Sequence, residues 1–190
     1  MYAILSTMRE IEIKLKVPNL DSVASKLEAL GVTLSKPIKQ KDINFIHRDD
    51  VRWFEPTIGD WIYPRLRIQE GKPFTLTVKK PLKNESDCRE HELHIDDAEE
   101  LQQIMDMFGY KEGVTVTKNR RTCTFQEYTI TLDEVIGLGS FIEIEKVVTD
   151  GDPEKIQEEM IQFAKTTFGL TESTVVLKGY DILTHEKQTI

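Results

Sequence analysis

The stretch Arg9-Glu10-Ile11-Glu12-Ile13-Lys14-Leu15-Lys16-Val17 alternates between charged and apolar residues without a break. Side chains at i and i+2 of a strand point to the same face. Glu10, Glu12, Lys14 and Lys16 therefore share one side, and Ile11, Ile13, Leu15 and Val17 the other. Further period-two segments occur at 62–69, 73–80, 89–95, 114–125, 128–133 and 141–148, with another strand near 40–47. Arg65 and Arg67 flank Leu66. Thr75, Thr77 and Lys79 oppose Phe74, Leu76 and Val78. Lys118, Arg120, Thr122 and Thr124 oppose Cys123 and Phe125, and Asp133 follows the alternating run Thr129-Ile130-Thr131-Leu132. Glu143 and Glu145 oppose Ile142 and Ile144.

A charged strand face usually meets water while its apolar face packs on helices. Here several strands each concentrate one sign of charge, as Glu/Glu, Arg/Arg or Lys/Arg pairs. Carboxylates two residues apart repel unless a cation sits between strands, and guanidinium groups repel unless an anion does. Both kinds of ligand are implied together. Closing the sheet with its charged face inward leaves a polar lumen and turns the apolar faces outward. Carboxylate oxygens suit hard ions such as Mg²⁺ or Mn²⁺. Arginines and lysines distributed around a lumen suit the spread negative charge of a polyphosphate.

Three amphipathic helices are available to cover the outside. Asn19 or Asp21 caps the first, which carries Val23, Leu27 and Leu30 and stops at Gly31. The second runs from about Asp97 to Phe108, with Leu101, Ile104, Met105 and Phe108 at helical spacing before Gly109. The third has Asp152 as cap, Pro153 in first position, Ile156, Met160 and Phe163 as its stripe and Gly169 as its stop. Loops are expected near 48–61 and 81–88. A weak internal repeat links a Glu-x-Glu strand, a helix, a glycine and a lysine-bearing return. Its copies start at Glu10, Glu90 and Glu143, with returning lysines Lys41, Lys118 and Lys178.

Composition narrows the rest. The 190 residues are 39% hydrophobic and 31% charged with seven prolines, as in an ordinary globular domain, and no apolar run approaches the roughly 18 residues a membrane span needs. The start lacks the basic region of a secretory signal, so a cytoplasmic location is expected. A net charge of −8 disfavours nucleic acid and acidic membrane surfaces as partners. Any anion must be held by locally concentrated cations. Cys88 and Cys123 have no zinc or redox spacing, and His91 and His94 point to opposite strand faces.

Glu10-Ile11-Glu12-Ile13-Lys14 matches the ExExK signature of the CYTH, or triphosphate tunnel, superfamily, and its companions follow in family order. They are Arg65-Leu66-Arg67, Lys79, Glu90-x-Glu92, Lys118-x-Arg120, and Asp133 ahead of the run from Gly137 to Glu145. The chain resembles that superfamily over residues 10 to 145, and nearest to its class IV adenylyl cyclase-like group, through Lys41-Asp42-Ile43-Asn44-Phe45 and the stretch GLGSFIEIE. The resemblance implies one CYTH domain over 1–190 of α+β class: a closed eight-stranded antiparallel β-barrel, or tunnel, with a charged lumen and helices packed outside. It places Tyr180 in a closing strand. It maps metal ligation by Mg²⁺ or Mn²⁺ onto Glu10, Glu12, Asp133, Glu143 and Glu145, and triphosphate binding onto Lys14, Arg65, Arg67, Lys79, Lys118 and Arg120. Glu90 and Glu92 would mainly orient cations.

The implied activity is metal-dependent cleavage of a phosphoanhydride bond, with Lys14, Glu12 and Glu143 as catalytic residues. Lys14, crowded among cations, is a candidate for a lowered pKa that assists deprotonation, or acts only as a phosphate ligand. The alternatives are a class IV adenylyl cyclase, making 3′,5′-cyclic AMP and pyrophosphate from ATP, and a non-catalytic triphosphate-binding module. Cyclase-competent members carry a His-Phe pair upstream of ExExK, where this chain reads Ile4-Leu5-Ser6-Thr7. Trp53, Phe54 and Trp61 are available to stack on an organic group or to pack over a barrel mouth. A small-molecule triphosphate is the expected partner, on a monomer or homodimer.

Overall fold

Eight strands follow the alternating segments: β1 (Arg9–Val17), β2 (Ile38–His47), β3 (Tyr63–Gln69), β4 (Phe74–Pro81), β5 (Asp87–Ile95), β6 (Tyr110–Phe125), β7 (Tyr128–Val135) and β8 (Gly139–Val148). All neighbours pair antiparallel, and the sheet closes in the order β1-β5-β4-β3-β2-β6-β7-β8. This computed structural model describes residues 8–49, 62–84 and 86–189. The segment Ile4-Leu5-Ser6-Thr7 and the aromatic residues Trp53, Phe54 and Trp61 lie outside the described residues.

β6 begins four residues earlier than the alternation indicates, because β2 continues past a register shift between Ile43 and Phe45 and pairs with Tyr110–Glu112. Gly113 permits it: a Cβ there would lie 2.9 Å from Ile46 Cγ2 and 3.1 Å from the Asn44 carbonyl oxygen. The ring of strands is uneven. β1 pairs with β8 from Arg9↔Val148 through Val17↔Ser140, but with β5 only at Glu10↔Cys88 and Ile11↔Asp87. One more bond, from Glu12 N–H to the Ser86 carbonyl at 2.9 Å, ends that seam. Beyond it the free edge of β1 is taken by a later segment, where Val176 N–H donates to the Lys14 carbonyl at 2.8 Å and Val175 bridges to Leu15.

The outward faces meet helices. α1 (Asp21–Ala29) and α3 (Pro153–Phe168) lie over β1, β7 and β8, burying Ile11, Ile13, Leu15, Ile130, Leu132, Ile142 and Ile144 against Val23, Leu27, Met160, Ala164 and Phe168. Asp152 caps α3 through the Glu154 N–H, and Gly169 ends it at φ 69°, a left-handed conformation that costs glycine nothing. Neither proposed cap of α1 sits at its N-cap. That position is Leu20, and Asn19 Oδ1 accepts instead from Ser22 N–H at 3.2 Å.

α2 (Ala98–Met107) is capped by Asp97, which accepts from Glu99 and Glu100 N–H, and covers Ile43, Phe45 and Leu66 on β2 and β3. Only half of its expected stripe is used. Leu101 and Met105, one turn apart, are buried, whereas Ile104 is 39% and Phe108 70% exposed. The sheet face under α2 accepts one row of side chains, and the adjacent row passes outside it. The outer side of β5 is barer still, with Leu93 63% exposed.

A fourth helix, α4 (Tyr180–Gln188), corrects the expectation of a closing strand at Tyr180, which is its first residue. Tyr180 packs with Val114, Val116, Val135 and Phe141, flanked by Ile46, Val176 and Leu183. Val135 and Phe141 alternate in step with Asp133 and Glu143, so this third core lies inside one end of the barrel and α4 stoppers it. The internal repeat holds for two copies, whose returns are β2 and β6. The third return is the non-strand segment before α4. Lys41 lies exposed on the outside, one residue out of step with inward Asp42, and exposed Lys178 pairs with Glu186. Among the described residues no helix is long and apolar enough to cross a membrane.

The two rows of α2 should separate in mutants. Leu101→Ala should lower unfolding free energy by about 2–5 kcal/mol, and Phe108→Ala by less than about 0.5 kcal/mol, in urea denaturation. Equal effects would place both rows against the barrel.

Candidate functional site: a lumen with two charged sides

The barrel encloses a cavity of about 250 Å³. Glu10, Glu12, Lys14, Arg65, Arg67, Lys79, Lys118, Arg120, Glu143 and Glu145 all line it. Asp133 does not. Fully buried, it stands behind the cations, its oxygens taken by Arg120 Nε at 2.7 Å and Nη2 at 2.5 Å, with Lys118 Nζ at 3.6 Å. The strand alternation that aims these side chains inward is the one visible in the sequence. Thr75 and Thr77 on β4 are buried with them.

On one side the cations are locked to carboxylates. Arg67 donates from Nε and Nη2 to the two oxygens of Asp42 at 2.8 and 2.9 Å, and Lys118 Nζ lies 3.7 Å away. Burial alone would raise the Asp42 pKa, but Arg65, the Arg67 hydrogen bonds and Lys118 hold it far below the ordinary range. Arg120 Nη2 also donates to Glu143 at 2.5 Å, and Lys14 Nζ lies 3.4 Å from Glu143. Burial likewise opposes ionisation of Glu143, yet Arg120, Lys14 and Lys118 bring its pKa well below normal. Arg65 donates to Thr77 Oγ1 at 3.2 Å, which donates to Glu92 at 3.0 Å, and Lys79 pairs with Glu90. The two β5 carboxylates thus orient a threonine and a lysine.

Two features of this side differ from the sequence reading. Asp42, quoted in the sequence only for its run with Lys41 and Phe45, joins the site: strand β2 places it opposite Arg67 in register and its alternation with Gln40 and Asn44 puts it inside. The lowered pKa expected for Lys14 belongs to Lys118. Burial disfavours the Lys14 ammonium, but Glu143, Glu12 and Asp181 outweigh it and raise the pKa. Lys118 is driven down to about 8 by burial and by Arg120, against the pull of Asp133 and Asp42.

The opposite side holds carboxylates with little compensation. Glu12 and Glu145 face each other directly across β1 and β8, and Glu10 follows on the same face of β1. Among the described residues neither Glu10 nor Glu145 has an ion-pair partner, while Lys14 stands 3.8 Å from Glu12. Burial, Glu10 and Glu12 raise the Glu145 pKa to about 7. Burial also raises that of Glu10, with Glu12 and Glu92 adding to it against Lys79. Among the described residues no three metal-ligating side chains already form a cage. The donor set is oxygen-only, mutually repelling and short of positive charge, which fits a hard divalent cation that would draw it together.

α4 adds residues at the closed end that the sequence reading did not place there. Tyr180 and Asp181 line the cavity, and the ammonium groups of Lys14 and Lys118 lie 4.5 and 5.0 Å from the Tyr180 ring centroid. Nothing in the local alternation could have shown this, because α4 reaches the lumen from outside the sheet. His91 and His94, on opposite faces of β5, are both exposed.

This architecture recurs in solved structures. A Pyrococcus horikoshii OT3 protein, PH1819, is 28% identical, with 94% of this chain and 99% of that one covered and a TM-score of 0.73. A "putative adenylate cyclase" from Vibrio parahaemolyticus has a TM-score of 0.74 over 95% and 98% of the two chains, at 20% identity, a likeness of fold alone. In sequence, "Putative adenylate cyclase MJ0240" of Methanocaldococcus jannaschii is 32% identical over 177 residues, 91% of this chain and 97% of that protein. The profile of the CYTH domain matches residues 8–180, from the edge of β1 to the first residue of α4. The chain belongs to the CYTH domain family.

Proposed function

We propose that this protein is a divalent-metal-dependent triphosphatase that holds a triphosphate in the barrel lumen and cleaves a phosphoanhydride bond. The observation that carries the reading is the division of one lumen into a basic side and an undercompensated acidic side. A phosphate chain satisfies the first and a metal ion the second, and each neutralises the other.

Glu10, Glu12 and Glu145 would hold a Mg²⁺ or Mn²⁺ ion, with Glu143 joining from between the two sides. Asp133, expected as a ligand, is better assigned to fixing Arg120. When bound, such an ion supplies charge neutralisation at phosphate oxygens. Arg65, Arg67, Lys79, Lys118 and Arg120 would grip the phosphates, the arginines by paired N–H groups and the lysines as point charges. Lys14, held protonated by its carboxylate neighbours, would act as a phosphate ligand rather than as a base. Asp42 keeps the Arg67 fork in one orientation. Hydrolysis needs only a water aligned on the terminal phosphorus. Formation of 3′,5′-cyclic AMP needs the ribose fixed as well. The M. jannaschii relative's name favours that second reading, and Ile4-Leu5 in place of a His-Phe pair disfavours it.

Glu12→Gln and Glu145→Gln should each reduce metal-dependent turnover by about 100-fold or more while the protein stays folded. Unchanged turnover in both would remove the acidic side from the metal site. The metal-free protein gives a separate reading. Because the folded-state pKa of Glu145 is raised to about 7 from an ordinary 4.5, this group stabilises the fold least once ionised. Stability should therefore fall as pH rises from about 4.5 through 7. Glu145→Gln should flatten that part of the profile in thermal melts, and an unaltered profile would assign the slope elsewhere. Incubation with Mg²⁺ or Mn²⁺ and ATP, thiamine triphosphate or inorganic triphosphate should release orthophosphate. Cyclic AMP formed from ATP faster than phosphate is released would establish the cyclase reading instead.

A further inference from the structure

Lys14 and Lys118 come from strands that do not adjoin, β1 and β6, yet both ammonium groups meet one aromatic ring. Their carboxylate contacts are loose. Lys14 Nζ lies 3.4 Å from Glu143 and 3.8 Å from Glu12, and Lys118 Nζ 3.6 Å from Asp133 and 3.7 Å from Asp42. A lysine on a flexible four-carbon stem is poorly fixed by such contacts. The Tyr180 ring is well fixed: only 7% of the residue is exposed, and the ring stands at 70° to Phe141 with 5.1 Å between centroids. Val114, Val116 and Val135 complete its packing, and its backbone begins α4.

A ring face attracts a cation without neutralising its charge. A carboxylate in the same place would compete with an incoming phosphate, whereas the ring leaves the ammonium group's charge available. We infer that Tyr180 is a positioning residue, whose ring face holds the ammonium groups of Lys14 and Lys118 ready for a phosphate chain in the lumen. The inference rests on the reading of those lysines as phosphate ligands. It gives α4 a part in affinity beyond closing the barrel end.

The experiment compares the wild type with Tyr180→Phe, which keeps the ring and loses the hydroxyl, and Tyr180→Leu, which keeps an apolar stopper and loses the ring. Binding of inorganic tripolyphosphate with Mg²⁺ is measured by calorimetry, and turnover of the same compound by phosphate release. Tyr180→Phe should bind within about twofold of wild type and Tyr180→Leu roughly tenfold more weakly, with the loss in KM rather than kcat. In proton NMR the Cε methylene signals of Lys14 and Lys118, assigned by Lys→Arg replacement, should be ring-shifted in the wild type and Tyr180→Phe alone. Should Tyr180→Leu not fold, Tyr180→Met takes its place, and the wild-type NMR shifts read the contact without any variant. Unshifted wild-type signals, wild-type affinity in Tyr180→Leu, or equal loss in Tyr180→Phe would each overturn the inference. A wild type that binds no tripolyphosphate while its lysine signals are ring-shifted would instead overturn the phosphate reading of the lumen, and the positioning role with it.

Discussion

Charge compensation in a space that water hardly reaches governs this structure. Carboxylates and cations taken out of water cost several kcal/mol each unless paired and hydrogen-bonded. Asp42, Asp133 and Lys118 are nearly or wholly inaccessible, at 4%, 0% and 3% exposure. Each is tolerable only because the next is there: Arg67 for Asp42, Arg120 for Asp133 and Glu143, Lys118 between the two aspartates. The network leaves its outer member, Glu143, bridged to Lys14, and beyond that the compensation runs out. The proposed site for a cation lies where the protein's own positive charge stops.

The same constraint explains the placing of the helices. A barrel whose interior is occupied by charge has to put its apolar residues outside, so Ile13, Leu66 and Ile144 need covering by α1, α2 and α3. The exception is the end capped by α4, where Val135 and Phe141 replace charge on the inward face and allow an apolar core within the barrel. The segment leading to α4 also mends the seam that β5 leaves open beside β1. One stretch of chain thus closes both the wall and the end.

Much of this was legible in the sequence, because strand alternation carries direction. Glu10, Glu12, Arg65, Arg67, Lys79, Lys118, Arg120, Glu143 and Glu145 could be assigned to one surface from parity alone, and the structure brings them to one cavity. Parity does not report depth. Asp133 has the right parity but lies behind Arg120, and the difference depends on which cation reaches it first. Nor does a local pattern report an element arriving from outside the sheet, so it places Tyr180 in a strand and brings neither Tyr180 nor Asp181 to the lumen. The acidic surroundings of Lys14 differ from the expected cationic ones for a related reason: its neighbours along the strand and across it are Glu12 and Glu143, and alternation alone does not fix cross-strand register. Asp42 illustrates the converse, since its parity is readable but its local sequence carries no ligand pattern.

The pairing of β1 with β8 has a bearing on how the chain folds. That seam joins residues 9–17 to residues 140–148, so almost the whole domain must be in place before the first strand finds this partner. Contacts that distant in sequence form late, after the entropy of the intervening loop has been lost. Until then β1 presents an unpaired edge on that side, guarded against other chains by the charges of one face. The final zippering also forces Glu12 against Glu145, so the ring is completed against electrostatic resistance that vanishes once a proton or a divalent ion is shared between them. Assembly and the proposed metal binding thereby meet at the same pair of side chains.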